Sequence, residues 1–546
     1  MNKLKNRHGS VNSLYVLGFT AVVLIIILTI ILFKMGQPTS PVRSTTSGSS
    51  TGSQTQPSQK DNAPAEGLFF YCAAGVRPPV ERIAAQYEKE YGVPIRIQYG
   101  GSQTLLSQLE VANTGDLYLA ADESYMTLAH SKDLVQERLP IGFQKPVIAV
   151  RKGNPKNIHG IKDLLRSDVK CALGNPDQAA IGRVTRKLLL QTGQWDKLKK
   201  HVTQSGVFFP TVPEVANAVK LGSVDAGIVW DATLATYPEL EAVAVPELDR
   251  GKSKIIVGIL SSASNPTRAL HFARYLTAED KGLAVFRQMG FKTVVGDKWE
   301  DVPEIVFYVG SVNRRSIDSI IKEFEQREGV RINTVYNGCG ILTAQMRTIR
   351  EQRQGLGFPD AYMACDVYYL NTVKDWFQEA VEVSDTEIVI AVPKGNPKGI
   401  KSLKDLAKPG LRVSVGQPDQ CTIGVLTREL LKKEGLYDAI MKNVVTQTAS
   451  SAMLVPTVVT HSVDATLAYL TDTLAEKDKV DVIHIPSEAA KAVQPFAIAK
   501  SSQHKWLCRR LFEAIAASKD KFDAAGFHFR LKGPRPTKYI IEKAGQ

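Results

Sequence analysis

The sequence predicts an α/β fold built from two tandem copies of one unit, each copy with two lobes. Three observations predict this fold. Short apolar runs alternate with segments of helical periodicity along most of the chain, which is typical of α/β proteins. Four segments of the first half recur in the same order in the second half. The repeating unit spans about 230 residues, a common size for a two-lobed domain.

Four pairs of segments define the repeat. KGNPK occurs at 152–156 and 394–398, GNPDQ at 174–178 matches GQPDQ at 416–420, and SVDA occurs at 223–226 and 462–465. FYCAAGVRPP from Phe70 aligns without gaps with FYVGSVNRRS from Phe307. The offsets, 242, 242, 239 and 237 residues, are too constant for chance. We therefore place unit 1 at 68–298 and unit 2 at 303–531, followed by a short C-terminal tail at 532–546.

The N-terminal part predicts a membrane anchor. Residues 14–33 form an apolar run without charge, long enough to cross the hydrocarbon core as a transmembrane helix. Basic side chains in residues 1–13 predict a cytoplasmic N-terminus. A long signal peptide that is removed is the alternative. Ser, Thr, Gly, Gln and Pro dominate 34–67, which predicts a flexible linker. Both units are then expected in the periplasm or outside the cell, tethered to the cytoplasmic membrane.

Within unit 1, strands and helices are expected to alternate. Pro78 and Pro79 open the first helix and Gly92 ends it. Ser102 or Thr104 is expected to cap the second helix, and a later helix starts at Ile181. The predicted strands are 68–72, 94–98, 116–120, 170–173, 226–230 and 255–260. The last of these leads the chain back, so lobe one is predicted to contain 68–147 and about 250–298.

Three loops of unit 1 lie between the end of a strand and the start of a helix, at 73–77, 100–104 and 174–182. Ligands of α/β folds bind beyond the carboxyl ends of strands. Helix N-termini there expose N–H groups with partial positive charge, which suits anions. One such loop alone is an ordinary capped turn, but three in each unit favour a ligand site.

Composition narrows the function class. The net charge is +13, which fits an anionic ligand or simple solubility. No Lys/Arg block, zinc-finger spacing or RNA-binding motif points to nucleic acid. HExxH, the P-loop and metal-spaced Cys/His clusters are all missing from the sequence, so we expect no enzyme, no metal and no cofactor. The six cysteines include no CxxC motif.

Five segments of unit 1 carry a family resemblance: AAGVRPPVERIAAQYEKEYGV, GGSQTLLSQLEVANTGDLYLAADESYM, KGNPKNIHGIKDLL, GNPDQAAIG and GSVDAGIVWDATLA. In this order they resemble the periplasmic molybdate-binding proteins of bacterial ABC importers, which are type II periplasmic binding proteins. The resemblance covers nearly all of unit 1, and unit 2 shares it mainly through unit 1. It implies two lobes with a central mixed, mainly parallel sheet in each unit.

The resemblance also implies a site in unit 1. That family holds a tetrahedral oxyanion between its lobes with two serine hydroxyls, backbone N–H groups and a tyrosine hydroxyl. The first serine position is Gly75, which has no hydroxyl, and Arg77 nearby could supply charge instead. The other positions fall on Ser102, on Ile181 and Val212 for the backbone donors, and on Trp230, whose indole donates but cannot accept.

Unit 2 differs at these positions. Val312 stands opposite Gly75, Cys339 opposite Ser102, Cys421 opposite Ala179 and Tyr469 opposite Trp230. Its remaining candidates are Ser311, Asn313, Arg314, Ile423 and Val455. We therefore expect unit 2 to bind a different ligand or to bind poorly. Cys339 and Cys421 are expected to face one cleft from opposite lobes as inert thiols, as a disulfide or as soft-metal ligands.

These expectations combine into a function. The resemblance implies an extracytoplasmic solute-binding protein that captures a tetrahedral oxyanion, molybdate or tungstate first, for an ABC permease. A membrane-tethered receptor or scavenger without its own permease is the alternative, and so is a binder of sulfate or phosphate. No nucleic-acid partner is expected.

Overall fold

The computed structural model describes residues 67–352 and 357–532. The predicted anchor at 14–33, the residues before it and nearly all of the linker lie outside the described residues, as does the tail from 533. In the described part of the chain, no helix is both long enough and apolar enough to cross a membrane.

Unit 1 alternates strands and helices as predicted. Its strands are β1 Leu68–Ala73, β2 Ile95–Gly100, β3 Leu117–Ala120, β4 Val135–Gln144, β5 Pro146–Arg151, β6 Cys171–Gly174, β7 Val207–Phe209, β8 Ala226–Trp230, β9 Leu240–Val243, β10 Ser253–Leu260 and β11 Lys292–Thr293. Its helices are α1 Arg77–Tyr91, α2 Ser102–Ala112, α3 Glu123–Ser131, α4 Ala180–Gln191, α5 Trp195–Ser205, α6 Val212–Lys220, α7 Asp231–Leu234, α8 Pro246–Asp249, α9 Pro266–Thr277 and α10 Gly282–Gln288.

Unit 2 repeats the plan. Its strands are β12 Glu304–Gly310, β13 Arg331–Asn337, β14 Ala361–Met363, β15 Phe377–Pro393, β16 Val413–Gly416, β17 Val444–Thr448, β18 Ala465–Tyr469, β19 Val480–His484, β20 Lys491–Ala499 and β21 His528–Phe529. Its helices are α11 Arg314–Glu328, α12 Cys339–Glu351, α13 Val367–Asn371, α14 Thr422–Lys433, α15 Tyr437–Met441, α16 Leu454–Val459, α17 Leu470–Thr473, α18 Lys505–Ala516 and α19 Lys519–Ala524.

Two sheets in unit 1 define its two lobes. The first sheet has the order β11-β4-β10-β3-β1-β2 and the second β7-β6-β8-β5-β9. The chain passes from the first to the second between β4 and β5 and returns through β10. Four strand pairings are parallel and five are antiparallel. The expectation of a mainly parallel sheet is therefore wrong, because the crossing strands run against their neighbours.

The crossing strand differs between the units. In unit 2 the 17-residue β15 runs without a break through both lobes, so the strands join into one ten-stranded sheet. In unit 1 Lys145 interrupts the corresponding strand between β4 and β5, and its N–H donates to Asp231 Oδ1 at 2.9 Å. Pro146, the next residue, has no N–H to continue a ladder.

A buried ion cluster joins the two units. Glu328 at the end of α11 is 1% exposed and accepts from Arg510 Nε on α18 at 2.6 Å. Arg274 on α9 of unit 1 contacts the other carboxylate oxygen at 3.4 Å. Burial opposes ionisation of Glu328, but the two guanidinium groups hold the pKa of this carboxyl below its ordinary value. The cluster fixes the first lobe of unit 2 against the first lobe of unit 1.

Candidate ligand-binding clefts

The cleft of unit 1 is a small cavity between the two lobes. It encloses about 240 Å³ of space between atoms when the part open to solvent is included, and its walls come from the ends of β1, β2 and β8 and the starts of α2, α4 and α6. The three predicted loops therefore meet in one place. Gly75, Ser102, Val212 and Trp230 line the cavity among the predicted residues. Among the described residues around it, none of the lining side chains is charged.

The lobes of unit 1 touch across this cavity. Gln103 N–H in the first lobe donates to the Gln178 carbonyl in the second at 3.1 Å. A side chain at position 101 would overlap the carbonyls of Gln178 and Pro210, so only glycine allows this approach. Unit 2 is joined in the same way, because Gly340 N–H donates to the Gln420 carbonyl at 3.1 Å.

Ser102 is the first residue of α2 and is 2% exposed. The expectation that Ser102 or Thr104 caps this helix is wrong, because Gly101 is the N-cap residue and no side chain caps it. The Ser102 Oγ instead accepts from Ala121 N–H across the cavity at 3.2 Å. Its own proton is left to donate to a ligand.

Trp230 ends β8 with its side chain fully buried. The indole Nε1 has no hydrogen-bond partner among the described protein atoms. A buried donor without a partner costs about 1–3 kcal/mol, so such a group is normally satisfied by a ligand or water. Trp230 is one of the residues that line the cavity.

Two predicted residues of unit 1 do not line the cavity. Ile181 lies in the first turn of α4 with its side chain buried against Gly174, and Ala179 and Ala180 form the wall instead. Arg77 is exposed, pairs with Glu81 at 2.7 Å and lies over the ring of Tyr99. The suggestion that Arg77 supplies charge to the site is therefore not supported by its position.

The sheet register of unit 2 changes one predicted counterpart. Gly174 pairs with Phe209 in unit 1, and Gly416 pairs with Thr448 in unit 2. Val212 therefore corresponds to Ser451, and the predicted candidate Val455 lies four residues further along the chain. Val455 packs inside α16 with 2% of its surface exposed. The cause is a shorter helix, since α15 has five residues and α5 has eleven.

The other candidates of unit 2 differ in how deeply their side chains are buried. Cys339 and Tyr469 are fully buried, and Ile423 lies in the first turn of α14 as Ile181 does in α4. Asn313 is buried and donates to the Ala364 carbonyl at 3.1 Å. Ser311 is half-buried in the turn before α11, and Arg314 is exposed over the ring of Tyr336.

Of the three forms expected for the thiols of unit 2, the structure shows free thiols and not a disulfide. Cys339 and Cys421 are both free, so no disulfide joins them. The Cys421 thiol donates to the carbonyls of Gln417 and Thr448, each at 3.5 Å, within its own lobe. The Cys339 sulfur lies 3.0 Å from that of Cys365. Across residues 67–352 and 357–532, no group of three His, Cys, Asp or Glu side chains is placed to hold a metal ion.

The family model of the bacterial extracellular solute-binding proteins matches residues 68–292 and again 305–528. The chain belongs to this family. The resemblance noted in the sequence is thereby confirmed, with one solute-binding domain in each unit.

Relatives of this solute-binding protein align with single units. A putative binding protein of Haemophilus influenzae is 28% identical over 228 residues, 42% of this chain and 91% of its own length. The molybdate-binding protein ModA of Mycobacterium tuberculosis is 28% identical over 231 residues, 42% of this chain and 85% of its own. The solved periplasmic molybdate-binding protein of Azotobacter vinelandii has 17% identity and a TM-score of 0.36, and the match covers 41% of this chain and 98% of that one.

Sequence reasoning missed three residues of the unit 2 cleft of this solute-binding protein. They are Cys365, Thr422 and Ser451, which correspond to Ala121, Ala180 and Val212 of unit 1. A signal existed for Thr422, because the GNPDQAA and GQPDQCT segments align without gaps. Before Cys365 and before Ser451, the numbering offset between the two units changes. Only the pairing of the strands shows which residues of unit 1 these two match.

Proposed function

We propose that unit 1 captures a tetrahedral oxyanion of the molybdate or tungstate type outside the cytoplasmic membrane and delivers it to an ABC permease. The observation that carries the proposal is the cavity between the lobes, where three helix N-termini and the hydroxyl of Ser102 meet the unpartnered indole N–H of Trp230. Helix N-termini stabilise anions without a charged side chain. The molybdate-binding relatives support the same ligand class.

The chemistry of the cavity favours an anion that carries no proton. The Ser102 hydroxyl and the Trp230 indole can both donate to an anion, whereas a protonated phosphate also needs an acceptor for its own hydroxyl. Sulfate shares the charge of molybdate but is smaller. We therefore expect molybdate and tungstate to bind more tightly than sulfate, and phosphate to bind weakest.

Calorimetric titration of the full chain with these four anions tests the proposal. Ser102→Ala should weaken molybdate binding by about 1–3 kcal/mol, because the ligand loses a donor. Cys508→Ala is the control, since this buried residue lies on α18 away from both clefts. An unchanged affinity in Ser102→Ala would show that this cavity is not the site.

The membrane-tethered location is part of the proposal. Removal of residues 1–66 should release a soluble protein that still binds molybdate, because the first strand begins at Leu68. Uptake of molybdate by cells, measured with and without a co-expressed permease, then distinguishes delivery from simple retention at the membrane.

A further inference from the structure

Unit 2 contains a pair of buried thiols at the position where unit 1 has the Ser102 hydroxyl. Cys365 N–H donates to the Cys339 sulfur at 3.1 Å, as Ala121 N–H donates to the Ser102 oxygen at 3.2 Å. The Cys365 side chain then places a second sulfur 3.0 Å from the first. The backbone arrangement of the two units is the same, and the change from Ser and Ala to two cysteines converts a hydroxyl into a dithiol.

A third difference makes room for the two sulfurs. Gly310 in unit 2 corresponds to Ala73 in unit 1 by the repeat offset. A methyl group at position 310 would lie 2.7 Å from the Cys339 sulfur and closer still to that of Cys365. Such contacts are too short, so the dithiol requires glycine here. The three substitutions therefore fit together as one altered site.

Hydroxyl groups without partners surround this dithiol. The side-chain oxygens of Thr422, Ser451 and Tyr469 have no hydrogen-bond partner among the described atoms, and these residues are 1%, 4% and 0% exposed. The corresponding residues of unit 1 are Ala180, Val212 and Trp230. Three buried hydroxyls at one cleft are costly unless a bound solute satisfies them.

The electrostatics of the cleft disfavour an oxyanion. Burial opposes ionisation of Cys339, but the hydrogen-bonding contact with Cys365 is the largest opposing influence, and the pKa of this thiol lies below its ordinary value. A thiolate repels an anion, and a thiol is only a weak donor. Thiolates are nucleophiles and bind soft, electrophilic centres.

We propose that the cleft of unit 2 is a dithiol site for a thiophilic oxoacid of a trivalent metalloid, of which arsenous acid is the representative. Cys339 and Cys365 each displace one hydroxyl from arsenic. Two arsenic–sulfur bonds form, two arsenic–oxygen bonds break, and the two thiol protons leave with the hydroxyls as two water molecules. The oxidation state of arsenic does not change. The third hydroxyl stays on arsenic and hydrogen-bonds to Thr422, Ser451 and Tyr469.

The spacing of the sulfurs favours this ligand over a metal ion. A linear two-coordinate cation would place the sulfurs on opposite sides of itself. Tetrahedral zinc, with zinc–sulfur bonds of about 2.3 Å, would hold them about 3.8 Å apart. A pyramidal trivalent centre has bond angles near a right angle and brings its two sulfurs closest together. Such a centre needs only two thiols and suits a site whose third thiol, Cys421, bonds backbone carbonyls of its own lobe.

The test uses the full chain, reduced and then freed of reductant, with sodium arsenite as the probe. We expect one arsenic per chain, and protection of two cysteines from alkylation that peptide mapping identifies as Cys339 and Cys365. Cys339→Ser and Cys365→Ala install the residues of unit 1 and should each weaken arsenite binding at least about 100-fold, because the second bond of a chelate forms at high effective concentration. Cys508→Ala should bind arsenite as the parent chain does.

Three results would overturn the proposal. One is reduced parent chain without arsenite-protected cysteines, and another is arsenite binding that survives both substitutions. The third is a Cys339–Cys365 disulfide that persists in strong reductant. Molybdate titration of the same variants separates this inference from the function proposed for unit 1, because Cys339→Ser and Cys365→Ala should leave molybdate binding by unit 1 unchanged.

Discussion

Two clefts in one chain share their backbone hydrogen bonds and differ in their side chains. In each, an N–H group of the first lobe donates to a glutamine carbonyl of the second at 3.1 Å. In each, the first residue of a helix accepts the N–H group that follows the neighbouring strand. The accepting atom is an oxygen in unit 1 and a sulfur in unit 2. The fold therefore fixes where a ligand lies, whereas a few side chains decide which ligand is bound.

The largest expected effect concerns the contact between the units. Glu328→Ala leaves Arg274 and Arg510 buried without their carboxylate, which should cost about 3–5 kcal/mol of unfolding free energy. The corresponding residue of unit 1, Tyr91, packs in an aromatic cluster instead. Urea unfolding measures the change.

The control for that prediction is Glu90→Gln. Glu90 pairs with Lys281 at a partly exposed position, so its substitution should cost less than about 1 kcal/mol. Equal losses in the two variants would mean that the Glu328 cluster does not hold the units together.

A pH effect should be specific to unit 2. Burial raises the pKa of Asp366 to about 6, and N–H groups of Val493 and Tyr368 offset this only in part. The folded state therefore holds the proton of the Asp366 carboxyl more tightly than the unfolded chain does. The contribution of this proton to the free energy of unfolding is greatest below about pH 4 and is lost as the pH rises past 6. The free energy of unfolding of unit 2 should fall by about 2 kcal/mol over that range.

Thermal unfolding between about pH 4.5 and 7.5 checks this dependence. Asp366→Asn should make the unit 2 transition less dependent on pH, because the amide keeps an acceptor oxygen but does not titrate. The remaining dependence is expected from Asp472, whose pKa burial also raises to about 6. A variant whose transition moves with pH as much as in the parent chain would assign the dependence to another group.

A smaller effect distinguishes the aromatic residues of the two clefts. Trp230→Phe removes the unpartnered donor of unit 1 and should weaken molybdate binding by about 1 kcal/mol. Tyr469→Phe removes the hydroxyl at the same position of unit 2 and should leave that affinity unchanged. Calorimetry on the full chain measures both, and a loss in Tyr469→Phe alone would place the oxyanion in unit 2.

The smallest effect is expected at Arg77. This side chain is exposed and paired with Glu81, so Arg77→Ala should change molybdate affinity by less than about 0.5 kcal/mol at any salt concentration. A strong loss that disappears at high salt would instead show that Arg77 turns into the cleft of unit 1.

The sequence by itself determined the duplication, the order of strands and helices and the three loops that form the cleft of unit 1. These features are local or periodic, so residue spacing reveals them. Ser102, Val212 and Trp230, which line the cavity, were expected there because the family resemblance implied those positions.

Only the tertiary structure decided the direction of side chains and the partners across long stretches of chain. Arg77 follows a loop that lines the cavity, but its side chain turns away and pairs with Glu81. Ser451, not Val455, takes the position of Val212, because the helix before β17 is shorter than its counterpart in unit 1. Cys365 meets Cys339, and Glu328 meets Arg510, 182 residues away. Contacts of this kind depend on strand register and on how lobes and units pack, which no local pattern of residues encodes.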